Sequence, residues 1–471
     1  MNLEPKDVFH WFHELNQVPR CSGQEEAVSK FLENFAKERG FEVRRDDANN
    51  VIIKVPATAG YENRKSVIIQ GHMDMVCVKD PGVNHNFDTD PIDMEVDGDF
   101  LKAKGTTLGG DDGIAVAFAM AILDGDYPHP ELTVLITTEE ETTMNGANAI
   151  KSGDVTGDYL FNIDSEEEGI FLVSSAGGAE TYNVFKGTRE AAVEQGIKIT
   201  VKDLEGGHSG MEINKGRGNA NVFMGRLLAA LKDFNPRLST INGGTKHNAI
   251  ASHGEAVLTV SDADKAKAVV EALGAQLLHE VHATDPRGAV EVSDADVDTV
   301  FDATTSANFI HFLRLVPNGV YSMSQDIDGL VESSLNNAVI TTEEDTITFV
   351  ISVRSSSESR LDEVLGTIET LDEVFGGKFD IENAYPGWEY EPGSKIEEIV
   401  KATWSELYGD AKFEAVHAGL ECGVLKKVLP DTEMISFGPN MFDVHSPKEK
   451  LSISSTERVF QFTLALLQAI D

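Results

Sequence analysis

The sequence predicts an α/β protein of two domains, one inserted into the other, and three observations carry that prediction. Strand-like and helix-like segments alternate over roughly the first 180 residues. From about residue 185 the pattern changes to amphipathic strands interleaved with helices, and near residue 386 the alternation resumes. The chain has 471 residues, too many for one ordinary core. The first domain is therefore placed at residues 1–184 and 386–471, and an α+β domain at 185–385.

Taken in order, Val8, Phe9, Phe12 and Leu15 mark an amphipathic first helix, and residues 27–39 a second. Residues 51–55 and 66–70 read as strands, the latter apolar enough to be buried. The run GIAVAFAMAIL at 113–123 is apolar on every side, so its helix must be buried. LTVLIT at 132–137 and YLFNI at 159–163 are further strands. In the second domain, 197–201, 256–260 and 346–353 alternate as antiparallel strands do, between helices near 219–232, 263–280 and 359–374. A helix at 395–407, a strand at 433–437 and a helix from about 456 to 470 complete the first domain, with Ser454 and Glu457 as a capping box for the last helix.

Composition excludes several function classes. Asp and Glu number 79 against 39 Lys and Arg, a formal net charge of -40, which repels nucleic acid and anionic membranes. No apolar run approaches the roughly 20 residues of a membrane span, and the N-terminus lacks the basic and apolar regions of an export signal. A soluble cytoplasmic protein is expected. Cys21, Cys77 and Cys422 contain no CxxC pair, and their spacings predict neither a disulfide framework nor a thiolate zinc site.

Chemistry in open α/β sheets sits beyond the carboxyl ends of strands, and several strands here end in acids or imidazoles. Gly71-His72-Met73-Asp74 follows the strand at 66–70. Residues two apart on a strand project to one side, so Asp74 can hold the ring of a metal-bound His72, although a polar strand end explains the tetrapeptide too. Asp111 and Asp112 open the buried helix, where one aspartate is explained by N-capping and the second less well. Glu139, Glu140 and Glu141 follow the strand at 132–137; three glutamates are usually a solvated run, yet these leave a buried strand. Asp164 ends the strand at 159–163, and His445 lies in the loop before the last helix. Nitrogen and oxygen donors without thiolate suit Zn, Mn or Co. A carboxylate bridging two ions about 3.5–4 Å apart is the usual construction of a two-metal hydrolase.

Taken together, HxD after a buried strand, GTTLGGDDGI, TEEETTMNGA, FNIDSEEEG, GGHSG, HAGLEC and a late HSPKE resemble the M20 family of metallopeptidases. The resemblance runs the length of the chain in order, and is nearest the family's branch of aminoacyl-histidine dipeptidases. It implies a zinc-peptidase-type domain, a central mixed sheet flanked by helices, interrupted by a lid for substrate binding and oligomerisation. It implies two divalent ions, zinc foremost with Mn or Co as alternatives. His72, Asp111 and Asp164 would hold one ion, and Asp111 would bridge to a second held by Glu141 and His445. Asp74 would orient His72, and Glu140 would be the general base. In the lid, His208 would stabilise the oxyanion, Arg354 would clamp the substrate carboxylate and Asn248 would help bind substrate. His417 and Glu421 belong to the branch's HAGLEC segment and could face the substrate's amino end or simply pack. Thr143 departs from the family's usual Gly, which puts the turn there in doubt.

The activity implied is hydrolysis of unblocked dipeptides, Xaa-His dipeptides first. The alternatives are another amide hydrolase of the same kind, a tripeptidase or an N-acyl amino acid deacylase, and a metal-binding protein without catalysis, against which the intact Glu140 argues. The partner expected is a small peptide, with no nucleic acid and no membrane; a homodimer is left open.

Overall fold

In the computed structural model, which describes residues 3–471, the chain divides into two compact units. The first comprises the chain up to Ser174 with Tyr390–Ala415 and Leu420–Asp471; the second comprises Ser175–Glu389 and Val416–Gly419. The boundary falls at 174/175, ten residues before the one expected, because Gly177–Lys186 is a strand of the second unit's sheet, paired on both edges. On the return it falls at 389/390, since Trp388 still pairs with Ser175.

The first unit is built on a mixed eight-stranded sheet. Its strands are β1 (Glu42–Arg45), β2 (Val51–Val55), β3 (Val67–His72), β4 (Leu132–Thr137), β5 (Tyr159–Asn162), β6 (Ile170–Ser175), β7 (Lys412–Val416) and β8 (Glu433–Ser436). They lie in the order β1-β2-β4-β3-β5-β8-β6-β7. Strands β4, β3, β5 and β8 run parallel, so their carboxyl ends share one edge of the sheet. Every residue of β3, β4 and β5 is buried, as expected for strands covered on both faces. The apolar run lies in the helix Gly110–Asp124, buried from Asp112 to Leu123 and packed against β3.

Among the described residues, the second unit centres on a nine-stranded antiparallel sheet. Its four long helices, Ala220–Ala230, Ala263–Glu280, Ala303–Leu315 and Glu358–Phe375, enclose one core with that sheet. One helix places a charge in this core. Val364, Ile368 and Asp372 share a buried face at i, i+4, i+8, and both oxygens of Asp372 lack partners. Burial pushes that carboxyl up to about 7. The folded state then holds a proton the unfolded chain has lost, so this residue destabilises progressively as pH rises from about 4 to 7. Asp372→Asn removes that titration. We expect the parent to lose about 2 kcal/mol relative to the variant across this window, allowing for solvent screening, read from urea unfolding at both pH values.

Three local expectations are corrected. The last helix is Ile453–Ala469, capped by Ser452, whose hydroxyl accepts from Ser455 N. Ser454 is not the cap because its N–H and hydroxyl both go to Asp99. Cys21 and Cys77 form a disulfide, contrary to the reading from spacing. The segment after the first helix pairs with the chain beyond β3 through Cys21 and Met75, and that contact, invisible in linear spacing, brings the cysteines together. Cys422 is free and buried. No helix among the described residues is long and apolar enough to cross a membrane.

Candidate metal centre

The parallel strands deliver their side chains to one edge. His72 is the last residue of β3, Glu140 and Glu141 follow β4, and Asp164 follows β5. Asp111 reaches the same place from the start of the buried helix, where it and Asp112 have non-helical backbone angles. Neither caps the helix, which sets the N-cap reading aside. His445 arrives last, in a loop between Met441–Phe442 and Lys450–Ser452. These short strands share a sheet with Phe100–Ala103, just upstream of the Asp111 loop. His445 holds a positive φ of 59°, an unfavourable setting that aims its ring.

The geometry is symmetrical about Asp111. Its Oδ1 lies 3.1 Å from His72 Nε2 and its Oδ2 lies 3.0 Å from His445 Nε2. Asp164 Oδ1 lies 3.6 Å from His72 Nε2, and Glu141 Oε2 lies 2.8 Å from His445 Nε2. Glu140 Oε2 is 4.0 Å from His72 Nε2. Asp74 stands behind: its Oδ1 is 3.3 Å from His72 Nδ1, and its carboxylate accepts from Ser22 Oγ and from the N–H groups of Glu140 and Glu141. One carboxylate thus ties the His72 ring to the turn that carries both glutamates.

Without an ion, these groups perturb one another strongly. Burial would push the His72 imidazole down, but hydrogen bonds to Asp111, Asp164 and Asp74 hold it well above the usual range. Hydrogen bonds to Asp111 and Glu141 raise His445 to about 11. Burial raises Asp164 to about 6 and pushes Glu140 well up, helped by the charges of Asp164, Glu421 and Glu141. Asp111 is held low despite its burial, because both imidazoles bond to it. Glu141 Oε1 is buried with no partner. So many carboxylates crowded in one buried place call for cationic neutralisation. Potential ligand atoms of His72, Asp111 and Glu141 lie within 4.8 Å of one another, as do those of His72, Asp112 and Asp164. The residues present therefore fit divalent cations, and the all-nitrogen and oxygen donor set suits Zn, Mn or Co.

The glutamate triplet is sorted by its turn. Glu139 has a positive φ of 52° and turns away; its side chain accepts from Thr143 Oγ1 and Asn145 Nδ2. Thr143 is exposed and is not among the positive-φ residues, so no glycine is needed there. Met144, the next residue, takes the left-handed conformation instead. Gly146 is required for a different reason: a Cβ there would lie 2.4 Å from the Thr138 backbone.

Two supports, Arg20 and Glu449, escaped the sequence reading, and a third, Asp112, was read there only as a helix-entry residue. Arg20, buried, donates from Nη1 to the carbonyls of Met73 and Asp74 and from Nη2 to the carbonyl of Gly109, binding the His72 and Asp111 loops together. Glu449 accepts the N–H groups of Leu108, Gly109 and Gly110, so the segment bearing His445 also cradles the Asp111 loop. The late HSPKE contained that signal; nothing marked Arg20. Asp112 accepts from His72 N at 3.2 Å, its Oδ1 has no partner, and burial pushes it well up. A Cβ on Gly71 would overlap its carboxylate, which accounts for the glycine before His72.

The remaining predicted residues lie in the second unit. His208 is half-buried; its Nδ1 accepts from the N–H groups of Gly210 and Met211, which leaves the ring proton on Nε2. Burial and the charge of Arg354 hold it below the usual imidazole range. Arg354 donates from Nη1 to the Tyr385 hydroxyl at 2.8 Å, and its Nε is buried without a partner. The Asn248 carbonyl accepts from Ser209 N at 2.9 Å, placing the Asn248 loop beside the His208 turn. His417 Nε2 lies 2.7 Å from Ser334 Oγ, and burial with the Arg354 charge lowers it to about 4. Both imidazoles are thus held neutral by burial and by the Arg354 charge, which is the cation of the three.

Imidazoles and carboxylates gathered at adjoining ends of parallel strands, fit to hold cations, are the arrangement of a metal-dependent hydrolase. The chain belongs to peptidase family M20/M25/M40, whose model matches residues 68–469. It is 37% identical over 477 aligned positions to the cytosol non-specific dipeptidase of Escherichia coli strain K12, covering 99% of this chain and 98% of that protein. Among solved structures it is similar to the aminoacylhistidine dipeptidase of Vibrio alginolyticus, with a TM-score of 0.94 and 37% identity over 100% of this chain and 98% of that one. The aminopeptidase PepT of Bacillus cereus ATCC 10987 shares the fold at a TM-score of 0.58 and 16% identity, covering 99% of each chain.

Proposed function

We propose that this chain is a dinuclear metallo-dipeptidase that hydrolyses unblocked dipeptides, Xaa-His dipeptides among them. The observation that carries the reading is Asp111, which presents one oxygen to each of two imidazoles, each with a further carboxylate of its own. His72, Asp164 and Asp111 would hold one ion, and Asp111, Glu141 and His445 the other. Zinc is the expected metal, Mn or Co the alternatives. Bound there, the ions supply Lewis acidity, polarising the scissile carbonyl and lowering the pKa of the attacking water.

The chain's own residues do the rest. Asp74 fixes the tautomer and plane of His72. Glu140 accepts the proton of the attacking water and returns it to the leaving amine. His208, with its proton on Nε2, donates to the developing oxyanion. Arg354 offers a guanidinium fork to the substrate carboxylate, and Asn248 assists binding. The reading takes the second unit as the family's lid, with homodimer formation a further part of the proposal. We place the protein in the cytoplasm, as the Escherichia coli relative's name says of that protein; in a reducing compartment Cys21 and Cys77 stand as thiols.

The test is a substrate panel. Purified protein loaded with Zn, Mn or Co is expected to cleave Xaa-His and other free dipeptides, and to leave N-acyl amino acids intact. Cleavage of tripeptides or acylated substrates alone would overturn the dipeptidase reading while keeping the family.

A further inference from the structure

The HAGLEC segment ends on a carboxylate that the mechanism above does not use. Glu421 is the first residue of the helix Glu421–Val428 and is wholly buried in the first unit. Its Oε2 accepts two hydrogen bonds, from Gln70 Nε2 at 2.6 Å and from Thr137 Oγ1 at 2.7 Å. Gln70 Nε2 also reaches Thr137 Oγ1 at 3.3 Å, which closes a triangle. On its other side, Gln70 Oε1 accepts from Asn162 Nδ2 at 2.7 Å. All four residues are buried.

Their places in the sheet give the network its meaning. Gln70 lies two residues before His72 in β3, Thr137 ends β4 three residues before Glu140, and Asn162 ends β5 two residues before Asp164. Gln70 and Asn162 are directly paired across β3 and β5, and Thr137 is paired with His72 across β3 and β4. One side-chain chain therefore runs across three adjoining strand ends, and each of those strands leads into a group of the metal centre. We propose that Glu421 is a positioning residue, an acceptor that clamps these strand ends in register and so sets the spacing of His72, Glu140, Glu141 and Asp164.

A role in the helix dipole alone does not explain the arrangement. An acid near a helix N-terminus acts through its charge and works while exposed. Here both bonds converge on one oxygen, in full burial, from two strands of a different element. The groups that orient metal ligands typically influence metal affinity or activity by 10–100-fold when removed. The clamp predicts an effect of that size, independent of substrate binding.

The inference rests on the metal-site reading above, and the experiment separates the two. Zn²⁺ affinity is measured by calorimetry on the metal-free parent and on Glu421→Ala, Glu421→Gln and Thr137→Val, with kcat, KM and the melting temperature of each metal-free protein. Glu421→Gln keeps an acceptor oxygen without charge, and Thr137→Val removes one donor without changing shape. Glu421→Ala is expected to weaken Zn²⁺ binding and lower kcat by about 10–100-fold with KM within about threefold. Thr137→Val should lose roughly 3–10-fold at an unchanged melting temperature, and Glu421→Gln should stay within about threefold of the parent. Should Glu421→Ala not fold, the other two variants decide. Parent-like Zn²⁺ binding and kcat in Thr137→Val would overturn the clamp. So would a loss in Glu421→Gln equal to that in Glu421→Ala, because charge and not the acceptor position would then matter. A parent that binds no Zn²⁺ would overturn the metal-site reading itself.

Discussion

Replacing Glu140 by glutamine is expected to lower kcat by about 10²–10⁴-fold, the range a positioned general base supplies, with two ions still bound per chain. The side chain is buried and lies 4.0 Å from His72 Nε2, close to the imidazole but farther from it than Asp111 and Asp164. The acidic partners of His445 are instead Asp111 and Glu141. Glutamine keeps the shape and cannot accept the water's proton. Stopped turnover with retained metal would place the loss in proton transfer. The Glu140 carboxyl is pushed up by burial and by the charges of Asp164, Glu421 and Glu141, so it is poised to take a proton once cations offset those charges. Metal content by elemental analysis and kcat on a dipeptide check this. Unchanged turnover in the variant would remove Glu140 from the mechanism.

The second large effect is expected at Asp111. Asp111→Asn should reduce bound metal from two ions to one or none and lower kcat/KM by at least 10²-fold. Removing one partner of a buried ionic group costs about 3–5 kcal/mol, and each tenfold corresponds to about 1.4 kcal/mol. Asp111 is the only one of the five proposed ligands placed against both imidazoles. The metal-free protein gives an independent readout. His445 is raised to about 11 by Asp111 and Glu141. A folded pKa above the unfolded value means that this pairing stabilises the metal-free protein fully below about pH 6.5 and is lost as pH climbs toward 11. Asp111→Asn should lower the His445 pKa, followed by NMR of the ring, and flatten that alkaline decline. An unchanged His445 titration would contradict the geometry.

The residue types of the candidate centre are legible in the sequence. Strand-end histidine, paired aspartates and a glutamate run are local signals, because a buried strand ends where its apolar run ends. The choice among Glu139, Glu140 and Glu141 was not local. What favours Glu140 and Glu141 is the positive φ of Glu139, whose side chain folds back onto Thr143 and Asn145. The doubt over Thr143 dissolves in the same turn, where Met144 carries the left-handed angle. The capping box failed for a similar reason: Ser454 had a stronger partner in Asp99, far away in the chain.

Periodicity and composition by themselves determined the α/β class, the inserted second unit and the apolar buried helix. These follow from what each segment must bury, a property of neighbouring residues. Only the tertiary structure decided which oxygens of Asp111 meet which imidazole, that Cys21 meets Cys77, and that Arg20, Glu449 and Glu421 hold the strand ends and loops together. Each of those is a contact between residues distant in sequence. Its energy depends on distance and burial, which no window of the chain contains.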